Sequence, residues 1–286
     1  MSFTIEACLQ PSEALKLEVG DLSETFEPAW YTTLNSDRAK PAWFLARDEG
    51  VLVGYLTVFD PTGREAEVSA FVAPERRRQG VFTELLARAV GEWGRQRRWL
   101  LVVNRRWTSG TAVATLKGVW AFTEFTLALS ASSRPAFSGL PGGLTLVEGV
   151  AAEAEQASAV LALANGTDDH LAFLNRILVD PRRRFFLLKE GGEAVGVGCL
   201  HSDGTETTIH GLAVRPDRQG RGWGRALLAG LLNLGAVHTQ EFLIDVDSTN
   251  TRAEKLYRSL GFRDRAVTDY YEISVPSAPI RGLPSG

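Results

Sequence analysis

The chain repeats itself, and that constrains its fold more than any other feature. Val72-Ala-Pro-Glu-Arg-Arg-Arg-Gln-Gly-Val-Phe-Thr-Glu-Leu-Leu86 lies on Val214-Arg-Pro-Asp-Arg-Gln-Gly-Arg-Gly-Trp-Gly-Arg-Ala-Leu-Leu228, with Pro74 on Pro216, Gly80 on Gly222 and the paired leucines in step. The offset is 142 residues (216 − 74). The same offset carries Trp43–Gly54 onto Phe185–Gly196, and Leu100-Leu-Val onto Phe242-Leu-Ile. An ungapped match across three strand-like runs and one helix-like run implies an internal duplication, one fold built twice, each copy of ordinary domain size. The 286 residues are enough for about two domains.

In the first copy Phe3–Ala7 reads as a strand and residues 11–30 carry helical spacing. Ala42–Arg47 and Val51–Phe59 form a hairpin turned by Asp48-Glu49-Gly50. A strand at Glu65–Val72, a helix at Phe82–Arg95, a strand at Leu100–Val103, a short helix over 110–117 and a closing strand at Phe122–Leu129 follow. Residues 130–143 are small and rich in Pro and Gly, as a linker is. The second copy repeats the order and closes at Ala266–Val275. The pattern predicts domains at 1–130 and 144–276, a linker at 131–143 and a flexible tail at 277–286. Hairpins followed by strand–helix–strand–helix–strand predict an α/β chain of the α+β kind, a mixed sheet with flanking helices.

A hydrophobic share of 44% is enough for two cores, and a net charge of −3 argues against a nucleic-acid binder. Arginines cluster at 76–78, 95–98, 105–106 and 182–184, most of them readable as solvated faces. Cys8 and Cys199 fall in different copies without metal-ligand spacing, so neither a disulfide nor a metal is expected. The start, Met-Ser-Phe-Thr-Ile-Glu, lacks signal-peptide regions, and no apolar run is long enough to span a bilayer, so a cytoplasmic location is expected.

The chemistry is densest at Arg218-Gln219-Gly220-Arg221-Gly222-Trp223-Gly224, between the strand-like Ile209–Val214 and the helix-like run from Arg225. Glycines let backbone N–H groups approach an anion, and the helix adds its positive end. The turn is neither a Walker loop nor the dinucleotide fingerprint. Its order, Gln-x-x-Gly-x-Gly, resembles the acetyl-CoA pyrophosphate motif of the GNAT superfamily of N-acetyltransferases. A second run, Asn250-Thr-Arg-Ala-Glu-Lys-Leu-Tyr-Arg-Ser-Leu-Gly-Phe262, is similar to the other hallmark of that superfamily and is complete.

The resemblance implies an N-acetyltransferase that moves an acetyl group from acetyl-CoA to a primary amine by direct attack, without a metal. Leu212, Ala213, Val214, Arg218 to Arg225, Asn250 and Ala253 would hold the cofactor. Tyr257 would be the general acid, because a phenol with an ordinary pKa near 10 is protonated at neutral pH. Strand alternation puts Thr208, His210, Leu212 and Val214 on one face, and His210 is the candidate base. Glu206 is its alternative, with Asp245 and Asp247 behind. The acceptor side would be built by residues 151–184, where Asp168-Asp169-His170 is the polar cluster; no aromatic cage stands out, with Phe173 and Trp223 as the aromatics that could contribute.

The first copy has lost these groups. At offset 142 Tyr257 falls on Thr115, or on Ala114 with one gap; Asn250 falls on Thr108, and His210 on Val68. Glu65 and Glu67 then alternate onto the other face. Val72, Arg77, Arg78, Gln79, Gly80, Val81 and Phe82 would line a second cofactor site, with Phe82 where Gly224 stands. The layout is similar to that of the mycothiol synthases, tandem members whose chemistry sits in the second domain, although no residue points to mycothiol itself. The rival readings are an acyl-CoA-binding regulator without turnover and a transferase for longer acyl chains. The acceptor is expected to be a small-molecule or peptide amine, and the protein a monomer or homodimer that binds no nucleic acid or membrane.

Overall fold

The computed structural model describes residues 3–9, 11–22, 40, 42–60, 63–95, 97–165 and 170–275. In chain order the first part holds β1 (Thr4–Cys8), α1 (Glu13–Leu22), β2 (Trp43–Asp48), β3 (Val51–Phe59), β4 (Glu65–Val72), α2 (Val81–Trp93), β5 (Arg98–Asn104), α3 (Thr108–Lys117) and β6 (Gly118–Ser130). The second holds β7 (Leu144–Glu148), α4 (Ala154–Asn165), α5 (Leu171–Leu178), β8 (Arg183–Glu190), β9 (Glu193–Asp203), β10 (Glu206–Val214), α6 (Trp223–Gly235), β11 (Glu241–Asp247), α7 (Thr251–Ser259) and β12 (Arg263–Ile273).

The compact units are not two consecutive segments. Unit 1 is Met1–Phe122 together with Thr268–Gly286, and unit 2 is Thr123–Val267. The boundary differs from the linear division at 131–143 because the closing strands are exchanged. In unit 1, β5 pairs antiparallel with the end of β12 (Thr268↔Asn104 to Glu272↔Leu100). In unit 2, β11 pairs antiparallel with β6 (Glu241↔Ser130 to Asp247↔Glu124). Unit 1 therefore runs β1-β2-β3-β4-β5-β12, and unit 2 runs β7-β8-β9-β10-β11-β6. Each sheet is mixed: β4/β5 and β10/β11 are its parallel pairs. Residues 134–143 carry no helix or strand and lie within unit 2, and residues 276–286 lie outside the described residues.

The helices after the basic turns form for the same reason in both copies. Val81, Leu85, Leu86, Ala89, Val90 and Trp93 are buried on α2; Trp223, Leu227, Leu228, Leu231, Leu232 and Gly235 are buried on α6. That spacing lays one apolar stripe against the sheet. In unit 2 the α6 and α7 face holds one cluster, including Ile209, Phe242, Ile244, Val246, Tyr257 and Phe262. The opposite face holds a second, in which α4 and α5 cover Phe185, Val197, Cys199 and Ala213.

The duplication is real, but its offset slides. It is 142 through the β2–β3 and β8–β9 hairpins and through α2 and α6. At the last rungs before each parallel pair opens, Val68↔Leu101 matches Ile209↔Ile244, which gives 141 (209 − 68) and 143 (244 − 101). The first change comes from a β-bulge in β10 that β4 lacks. The second comes from one extra residue between α6 and β11. Trp99 and Phe242, both buried, are thus the matching residues, rather than Leu100 and Phe242.

Candidate active site

Unit 2 places the motif residues around one opening in its sheet. The parallel ladder between β10 and β11 ends at Ile209↔Ile244, while the strands run on to Val214 and Asp247. Beyond that rung they part, and the edge of β10 over 210–214 no longer bonds to β11. The bulge sits at this point. His210 pairs with Cys199 and Ala213 with Val197, so Gly211 and Leu212 together oppose one residue of β9. Gly211 has φ +59, a left-handed conformation suited to glycine. The extra residue inverts the alternation. His210 and Ala213 face α4 and α5, while Leu212 and Val214 pack against the α6 cluster. The single face expected for His210, Leu212 and Val214 is therefore corrected: Leu212 and Val214 lie opposite His210.

The turn after β10 is basic and rich in glycine. Pro216–Arg218 makes a 3-10 turn, Gln219 Nε2 donates to Val214 O (2.9 Å), and Gly220 (φ +81) and Gly222 (φ +82) bend the chain left-handed into α6. Gly222 is the N-cap and supplies no side-chain cap, so the first N–H groups of α6 point outward. Of the basic residues, Arg218 is engaged by Glu190 (3.1 Å) and Asp217 (2.8 Å). Arg221 lies over the Trp223 ring, and Arg225 donates to Ser259 Oγ (2.5 Å). Arg252, at the start of α7, donates to Gln219 Oε1 (2.7 Å) and so joins the turn. The motif reading missed Arg252, because its place is one of the unspecified positions after Asn250.

Helix α7 closes the opening. Asn250 Oδ1 accepts from Ala253 N (3.1 Å), an N-cap bond. Gly261 (φ +103) ends the helix, and Phe262 N donates back to Tyr257 O (3.3 Å). Tyr257 is buried beside Phe262. Burial first, and the Asp245 charge second, push its phenol up to about 12.

His210 is less suited to its expected role. Its Nε2 is shut off from solvent and has no hydrogen-bond partner, and Phe173 meets the ring edge-on at 5.7 Å. Burial, then the charge of Arg183 and the neighbouring His201, push it down to about 3. Glu206 stands at the paired end of β10, ion-paired to Arg265 (3.8 Å), about 13 Å of strand from His210. Asp247 accepts from Thr249 N and Oγ1 (both 2.7 Å) and shapes the turn before α7. Asp245 accepts from Thr126 Oγ1 (2.7 Å). The structure thus brings together Tyr257, Asp245, the turn and the N-terminus of α7, and leaves Glu206 apart.

On the acceptor side, α4 and α5 reach the bulge: Leu161 and Phe173 lie within 4.0 Å of where a Cβ on Gly211 would be. Asp168 and Asp169 lie outside the described residues; His170 N donates to Ser158 Oγ (3.1 Å) at the start of α5. Trp223 is buried in the cluster on the α6 face. Buried Arg183 and His201 stand on the α4–α5 side, and the sequence reading gave them no role. Burial lowers both, His201 to about 4.

Unit 1 has the same outline with different residues. Its parallel pair also parts early, after Val68↔Leu101, and its turn is also left-handed at two places, Arg78 (φ +61) and Gly80 (φ +88). Its β4 has no bulge, so the match of His210 is Ser69, not Val68, and Glu67 shares that face after all. Burial, with Glu65 nearby, pushes Glu67 up to about 7. Because α3 and α7 begin 143 residues apart (251 − 108), Tyr257 matches Ala114.

The acetyltransferase (GNAT) family model matches residues 12–106 and 151–262. Across 84% of its length the chain is 30% identical to a mycothiol acetyltransferase of Clavibacter sepedonicus, 83% of which is covered. Over 111 residues, 36% of the chain and 67% of the relative, it is 34% identical to the N-alpha-acetyltransferase RimI of Mycobacterium tuberculosis. Among solved structures, a GCN5-related N-acetyltransferase from Sphaerobacter thermophilus superposes with a TM-score of 0.73 at 19% identity, covering 97% of this chain and 98% of that one. A tandem GNAT protein from the clavulanic acid biosynthesis pathway gives 0.69 at 18% identity, covering 97% and 100%. With the motif turn present in both units and the family matched twice, the chain belongs to the acetyltransferase (GNAT) family, as an N-acetyltransferase of the tandem kind.

Proposed function

We propose that unit 2 is the catalytic unit, transferring an acetyl group from acetyl-CoA to the primary amine of a small molecule, and that unit 1 does not turn over. The observation that carries this reading is the combination of bulge and Tyr257 in unit 2, against unbulged β4 and Ala114 in unit 1. The residues fit acetyl-CoA: the uncapped α6 N-terminus and Arg221, Arg225 and Arg252 suit a pyrophosphate, and the unpaired edge of β10 suits an extended chain carrying amides.

In the reaction the ammonium first gives one proton to water; the amine nitrogen then bonds to the thioester carbon, the C–S bond breaks, the nitrogen gives its second proton to water as the amide forms, and the thiolate leaves. Tyr257 serves the departing sulfur. At about 12 the phenol is a hydrogen-bond donor at every physiological pH. Outright proton transfer to a thiolate of ordinary pKa about 8.5 is uphill, so the phenol stabilises the developing charge and the proton balance is completed by water. His210, neutral above about pH 3, shapes the acceptor wall with Phe173. A small-molecule acceptor is favoured because the mycothiol acetyltransferase aligns along most of the chain, whereas RimI aligns with 36% of it.

The test is acetyl-CoA consumption over a panel of primary amines that includes aminosugars, amino thiols and short peptides. Turnover of a small amine is the expected result. Tight acetyl-CoA binding with no amine acetylated would favour a regulatory binding protein.

A further inference from the structure

Strand β6 gives unit 2 a side chain from the stretch of chain ahead of residues 131–143. Thr126 and Asp245 are cross-strand partners and share a face of the sheet, and Thr126 Oγ1 donates to Asp245 Oδ1 at 2.7 Å. Phe242, Ile244 and Val246 are buried against the α6 cluster, so alternation turns Asp245 to the α4–α5 side. Asp245 follows Ile244, the last residue of β11 paired with β10, and its carboxylate therefore stands where the strands part. Its charge reaches the Tyr257 phenol.

We propose that Thr126 is a positioning residue: its hydroxyl fixes the Asp245 carboxylate at the mouth of the β10–β11 opening, where that carboxylate receives the ammonium group of the acceptor. This rests on unit 2 being the catalytic unit. A primary amine is an ammonium at neutral pH; a carboxylate beside the opening draws it in, and the ammonium gives one proton to water before its nitrogen attacks. A β-branched threonine has few rotamers, so one bond from it holds the carboxylate in one orientation.

Thr126→Val keeps the side-chain shape and removes the hydroxyl. With the fastest amine of the panel, KM for the amine is expected to rise about tenfold, with the Kd of acetyl-CoA by calorimetry unchanged. Thr126→Ser should bring KM back to within about threefold of the native enzyme. In an Asp245→Asn background, where KM is already raised, Thr126→Val should add nothing. Native amine KM in a folded Thr126→Val enzyme overturns the proposal, and so does an equal added loss in the Asp245→Asn background. Full turnover by Tyr257→Phe would overturn the choice of unit 2 as well, and so separates the two failures.

Discussion

Tyr257 carries the sharpest residue-scale prediction. Tyr257→Phe removes one oxygen from a buried ring packed near Phe262, so folding and acetyl-CoA binding should survive. Turnover should fall by about a hundredfold, the scale of a positioned donor. Thr115→Ala, one of the two positions that the sequence matched to Tyr257, should leave turnover unchanged, since the Thr115 hydroxyl only bonds Thr111 O on α3. Steady-state rates check both. His210 gives a pH prediction. Its folded pKa, about 3, lies below the ordinary 6.5, so the unfolded chain binds the proton more readily. Stability is therefore held above about pH 6.5 and lost progressively as pH falls toward 3. His201, at about 4, acts in the same direction. Thermal melts should show His210→Gln losing less stability than the native protein between pH 7 and 5. The acid side of the pH–rate profile between pH 5 and 8 should be the same in both, because His210 is neutral throughout.

At the scale of elements, the turn–helix block explains why two copies with different contents keep one shape. Left-handed backbone is needed at two places in each turn, and unit 1 meets one of them with Arg78. A non-glycine residue there costs roughly 1–2 kcal/mol, partly offset by the lower chain entropy that it loses on folding. Arg78→Gly should thus stabilise unit 1 by up to about 1 kcal/mol in chemical denaturation. In unit 2 the space around Gly222 is open, with no atom within 4 Å of an added Cβ, but its φ of +82 disfavours any side chain. Gly222→Glu adds strain and a negative charge at the proposed pyrophosphate site. Acetyl-CoA affinity in calorimetry should drop at least tenfold, about 1.4 kcal/mol. Unchanged affinity would mean that the turn has another role.

For the whole molecule, the exchanged strands decide how the chain can be divided. Leu127 and Leu129 of β6 are buried in the unit 2 core, each worth about 1.5–3 kcal/mol of burial. A fragment of residues 144–286 lacks them and leaves β11 with an open edge. A fragment of residues 123–267 keeps all six strands of unit 2. The first should aggregate or melt without cooperativity, and the second should show a cooperative circular-dichroism transition. Equal melting of the two would show that β6 contributes little.

The sequence by itself determined whatever is local or periodic. The repeat, the helix stripes of α2 and α6, the glycine turn and the Asn250–Phe262 run could be read because 3.6-residue spacing, left-handed glycines and a capping asparagine are written in consecutive residues. Tertiary structure decided what depends on partners distant along the chain. A single inserted residue in β10 leaves no mark on composition, yet it turned Leu212 and Val214 away from His210 and moved the match of His210 to Ser69. Burial among Phe173, Arg183 and His201 took His210 out of the range of a base at neutral pH, and a strand sequence cannot show that environment. The exchange of β6 and β12 was hidden because both candidate partners for a closing strand are parallel-sheet edges of the same pattern, and sequence proximity favours the nearer one. Arg252 at Gln219 and Thr126 on Asp245 belong to this second class: contacts across 33 and 119 residues exist only once the chain has folded.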